Sequence, residues 1–82
     1  MYLSCHVYPA TDLPGVWVGH CLDLDLVTQG PSENDALLAL REAIDLVYEW
    51  DKENGLDPLL CRKPAPQEEW LKFPIRHLSR PG

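Results

Sequence analysis

At 82 residues the chain has room for one domain, and its single core must take up almost every apolar side chain. A hydrophobic content of 45% argues against disorder, and a net charge of −6 argues against direct binding of duplex nucleic acid. The charge is uneven: residues 1–60 set Arg41 and Lys52 against eleven acidic side chains (−9), whereas residues 61–82 set five basic side chains against Glu68 and Glu69 (+3).

In chain order, residues 2–8 (YLSCHVY) alternate Leu3, Cys5 and Val7 with Tyr2, Ser4, His6 and Tyr8, the period of two that marks a strand. Residues 9–15 hold two prolines and a glycine and can only connect. A second, antiparallel strand follows over the β-branched and aromatic residues 15–21. A short third strand spans 25–30, stopped by Gly30–Pro31. A helix is then predicted over 32–54, with Ser32 and Asp35 in a capping-box pattern and Asn54–Gly55 as its end. Ala36, Leu37, Leu40, Ala43, Ile44, Val47 and Tyr48 form its apolar side, with Glu42, Asp45, Glu49 and Lys52 opposite. Beyond it, prolines divide a short helix over 67–73 from residues 75–79, which read as an edge strand or a frayed tail. The expected core is Leu3, Cys5, Val7, Leu37, Leu40, Ile44 and Val47, with Leu24 or Leu26.

The densest chemistry lies in residues 20–25, HCLDLD. If the strand alternation runs on through this stretch, His20 faces away from Asp23 and Asp25. Two carboxylates alone make a weak site for a hard cation, and zinc needs about four ligands at characteristic spacings. Cys21 and His20 project to opposite faces as strand neighbours, so they make no nucleophile–base pair, and both Cys5 and Cys21 read as small core residues. No GxSxG, HExxH, P-loop or GxGxxG pattern occurs. The expectation is therefore no catalytic residue, no metal and no cofactor. A basic set, Arg62, Lys63, Lys72, Arg76 and Arg80 with Trp70 and Phe73, could contact RNA, but it more simply solvates the tail or pairs with the acidic body. Three cysteines without CxxC spacing, no signal-like opening and no apolar run of spanning length point to a reducing cytoplasm and no membrane.

The run GVWVGHCLDLDLVTQG followed by PSENDALLALREAIDLVYEW resembles the HicB antitoxin family and its stand-alone relatives. Gly15, Trp17, Val18, Cys21, Asp23, Leu24, Thr28, Gln29 and Gly30, then Ala36, Leu37, Leu40, Arg41, Glu42, Ala43 and Ile44, carry the resemblance, which covers about residues 2–73. It implies a partial ribonuclease H-like unit of order β-β-β-α-β, whose fourth strand lies alongside the first. It also implies a unit lacking the nuclease's catalytic acids, with Asp23 and Asp25 as remnants of a strand-end pattern. The implied partner is a small basic ribonuclease toxin, HicA-like. Many members add a DNA-binding module, for which the 27 residues after Gly55 are too few and too broken by proline.

Together these readings predict a single α+β domain over 1–82, with its core in 2–55 and a proline-rich extension over 56–82. Its sheet should be three- or four-stranded and mainly antiparallel, with one long helix on one face. The chain should be a binding protein and not an enzyme, with Trp17, Trp50, Asp23 and Asp25 as partner-contact residues. Exposed sheet edges, with Tyr48 and Trp50 near the helix end, predict a homodimer or larger homo-oligomer. The alternative function is an orphan dimeric module that binds another protein or a small ligand.

Overall fold

The computed structural model describes residues 2–79. In chain order these form β1 (Tyr2–Pro9), β2 (Trp17–Cys21), β3 (Leu26–Gly30), α1 (Glu33–Glu53), α2 (Pro58–Cys61), α3 (Gln67–Trp70) and β4 (Arg76–Ser79). The strands make one antiparallel sheet in the order β3-β2-β1-β4, so the α+β expectation holds and the sheet has four strands. Residues 75–79 resolve in favour of a strand, with Leu3 opposite Leu78.

Period two divides the sheet into two faces. Leu3, Cys5, Gly19, Cys21, Leu26 and Thr28 face α1, while Ser4, His6, Tyr8, Val18, His20 and Val27 face away. On the α1 side, Leu3, Cys5, Cys21, Leu24, Leu40 and Ile44 form the buried cluster, with Leu26, Leu37, Tyr48 and Leu78 packed at its margin. Val7 and Val47, expected in the core, are only half-buried.

The ends of α1 form as the capping residues dictate. The Ser32 hydroxyl accepts the Asp35 N–H at 3.1 Å, and Gly55 takes φ 72° just past the C-cap Asn54. Two glycines let the helix lie close on the sheet. A Cβ on Gly19 would sit 3.0 Å from the Ala36 carbonyl oxygen, and one on Gly30 would sit 2.7 Å from the Ala36 nitrogen. Thr28 fixes this approach, its hydroxyl donating to the Ala36 carbonyl at 3.1 Å.

The proline-rich extension covers the second face of the sheet. Buried Asp51, at the end of α1, accepts two hydrogen bonds from the Arg62 guanidinium at 2.8 and 2.9 Å. The Ala65 N–H then donates to the Leu22 carbonyl at 2.7 Å, which carries the chain under the 22–25 turn. Phe73 finally stacks on Tyr8 at 4.3 Å and meets His6 edge-on at 5.5 Å. The basic residues of the extension are largely spoken for: Arg62 pairs with Asp51, Lys72 with Glu69 and Arg76 with Glu33. Arg80 lies outside the described residues.

Candidate protein-binding surface

The cluster at residues 20–25 differs from the arrangement that alternation predicts. β2 stops at Cys21, so Leu22–Asp25 form a turn rather than a continued strand. Asp25 takes φ 52°, the left-handed conformation that Asp tolerates better than most residues, and its carboxylate comes back to the His20 ring at 2.7 Å. The histidine therefore does not point away from both aspartates. Asp23 is also engaged, accepting the Ser4 N–H at 2.6 Å. Both carboxylates thus tie the turn to its neighbouring strands.

His6 lies opposite His20 in the β1–β2 register and is 1% exposed. Its Nε2 is buried with no hydrogen-bond partner. Burial and the adjacent His20 hold its pKa below the ordinary histidine value, partly opposed by Glu69. On the other face, burial raises the Cys5 thiol and pushes Cys21 up to about 11, so neither is poised as a thiolate nucleophile. Among the described residues no group of three or more His, Cys, Asp or Glu side chains could hold a metal ion, and no helix is long and apolar enough to cross a membrane.

What the molecule offers outward is α1. Its 21 residues, roughly 32 Å at about 1.5 Å per residue, run unbroken from Glu33 to Glu53. With Ala36, Leu40, Ile44 and Asp51 buried, helical geometry puts Glu42, Asp45 and Glu49 on the crest facing solvent, and all three are exposed. This acidic crest is backed by the sheet, chiefly by β3 and β2.

The four predicted contact residues do not converge. Trp17 is half-buried opposite Gly30, at the end of the sheet where α1 begins. Trp50, 63% exposed, lies near the other end of the helix. Asp23 and Asp25 are at the 22–25 turn. Comparisons with protein-family models, with curated proteins and with solved structures found no match.

Proposed function

We propose that this chain is a HicB-like, antitoxin-type binding protein without enzymatic activity, which neutralises a small basic HicA-like ribonuclease toxin in the cytoplasm by covering its surface. The observation that carries this reading is the acidic crest of Glu42, Asp45 and Glu49 on a helix held rigid by the sheet. A cationic partner is drawn to such a surface during diffusional encounter, and a preformed helix loses little conformational entropy on docking. The sheet order, with the fourth strand beside the first, is the one the family resemblance implies. Arg62, Lys72 and Arg76 already have acidic partners, which weighs against RNA as the ligand.

The test is co-expression with the product of a short basic reading frame beside this gene. Rescue of growth and a stable complex that weakens with rising salt are expected, because salt screens exposed charges. Glu42→Lys with Glu49→Lys should abolish rescue while leaving the circular dichroism spectrum and melting temperature nearly unchanged. If no such frame exists and a pull-down from the native cytoplasm recovers no basic ribonuclease, the antitoxin reading fails. The orphan-module alternative then takes its place.

A further inference from the structure

One flank of α1 carries an apolar seam that the fold does not use. With the buried line through Ala36, Leu40 and Ile44 as reference, a rotation of about 100° per residue puts Ala39, Ala43, Leu46 and Trp50 together on one side. Their spacing of four, three and four is the interval at which helices pair. Ala39 and Ala43 are half-buried, whereas Leu46 is 66% and Trp50 63% exposed.

The side of the molecule on which this seam lies follows from packing. α1 rests mainly on β3 and β2. Leu37 and Tyr48, on its other flank, pack on the buried cluster, and Glu33, displaced toward that same flank, pairs with Arg76 of β4. The seam therefore overhangs the outer side of β3, an edge of the sheet.

That edge is unprotected. β3 reads Leu-Val-Thr-Gln-Gly, with no charge and no proline, in unbroken register with β2. The opposite edge, β4, carries Arg76 and His77 and follows Pro74, the residue types that discourage strand addition. The Leu22 N–H donates to the Ser4 carbonyl at 2.8 Å. Antiparallel alternation carries this pattern across the sheet and turns the main-chain groups of Val27 and Gln29 outward. Edge strand and helix seam thus form one uncharged strip on a chain of net charge −6, a place where two copies can meet without opposing like charges at the centre of contact.

The geometry points to a second copy of this chain as the occupant, with β3 pairing antiparallel to β3 across a two-fold axis and the two α1 seams packed together above it. Paired strands lie about 4.8 Å apart. A helix seated between β2 and β3 then stands roughly 5 Å from the axis, so the two helices are about 10 Å apart, the distance at which helices pack. The result is a continuous eight-stranded sheet with both acidic crests still facing solvent. Self-association and capture of a basic partner therefore use different surfaces, and either can fail without the other.

Sedimentation equilibrium of the full chain from low to high micromolar concentration tests this. A monomer–dimer equilibrium is expected. It should strengthen with salt, because Glu42 and Glu49 border the seam, which is opposite to the salt dependence expected of a basic partner's complex. Leu46→Lys with Trp50→Lys should weaken dimerisation by more than about tenfold, as loss of an aromatic anchor and its apolar neighbour does. Both side chains are exposed, so the melting temperature of the dilute protein should hold. Leu38→Lys, 57% exposed on a different side of the helix, should leave the dimer intact. Hydrogen exchange at the Val27 and Gln29 amides should slow as concentration rises. A chain that stays monomeric throughout, a dimer indifferent to the seam substitutions, equal sensitivity to Leu38→Lys, or concentration-independent exchange at Val27 and Gln29 would each overturn the proposal.

Discussion

The two faces of the sheet are built on different principles. The α1 face is an aliphatic layer in which Leu40 and Ile44 lie buried where helical spacing puts them, with Val7 and Val47 half-buried at its margin. The opposite face buries His6 against the Phe73 ring and His20 beside the Asp25 carboxylate. The first face gains stability from apolar area, which is additive and insensitive to pH. The second depends on specific partners: a ring stack, a carboxylate on His20 and an imidazole whose burial disfavours its protonated form. One sheet thus carries a robust side and a conditional side.

Substitutions can break or sharpen that contrast. The largest effect should come from Leu40→Ala, at 0% exposure in the centre of the aliphatic layer. A loss of about 2–5 kcal/mol is expected by chemical denaturation, since a buried leucine truncated to alanine leaves a cavity. Gly19→Ala follows: its Cβ would press on the Thr28 hydroxyl and the Ala36 carbonyl, lifting the helix. Overpacking of this kind costs about 1–3 kcal/mol, readable in the same denaturation curve. On the conditional face, Phe73→Ala removes the contacts to Tyr8 and His6 from a ring that is already 38% exposed. The loss should be smaller, about 0.5–1.5 kcal/mol for the aromatic pairing, and limited proteolysis should now cut within residues 62–75. An effect as large as that of Leu40→Ala would erase the distinction between the faces.

Acidification should give the smallest change, and it should act on one face only. The folded state lowers the pKa of His6, so the unfolded chain binds its proton first as pH falls. The contribution of His6 is complete above about pH 6.5, the ordinary histidine value. It declines as pH drops from there through the lowered folded value. Melting temperature should therefore fall between pH 7 and pH 5, and His6→Leu should flatten that part of the profile. An unchanged profile in the variant would place the pH dependence elsewhere.

The aliphatic face was legible because periodicity and capping are local signals. Ser32, Asp35 and Gly55 mark the limits of α1 in the sequence, and the structure keeps them within a residue. The conditional face was not legible because its contacts join residues far apart in the chain. Nothing near Asp51 shows that an acidic residue on a helix will be 1% exposed, since its partner Arg62 lies across a turn and a further short helix. α2 is absent from the sequence expectation, which takes the prolines after residue 55 as breaks, yet Pro58 follows the capping Asp57 and starts a helical turn. The 20–25 cluster was misplaced for a related reason. Alternation holds only while a strand lasts, and whether β2 ends at Cys21 or continues decides where Asp25 points. The acidic crest of α1 follows from helical spacing, whereas the placement of Trp17 and Trp50 toward opposite ends of α1 depends on how the helix lies on the sheet.

The pairing of β1 with β4 bears on the order in which the molecule assembles. β1, β2, β3 and α1 join through short connections, so their contacts can form early at little entropic cost. The ladder from Tyr2↔Ser79 to Cys5↔Arg76 instead closes a loop of almost the whole described chain. The Arg62–Asp51 pair and the Ala65–Leu22 hydrogen bond shorten that loop when they form first. β4 should then be the last strand to dock and the first to leave. Until it does, Leu3 and Cys5 lack their outer neighbour, and β1 is a bare edge on one side of the sheet as β3 is on the other. A nascent or heat-stressed chain thus passes through a state with two open edges, and the speed with which the extension folds back sets how long that aggregation-prone interval lasts.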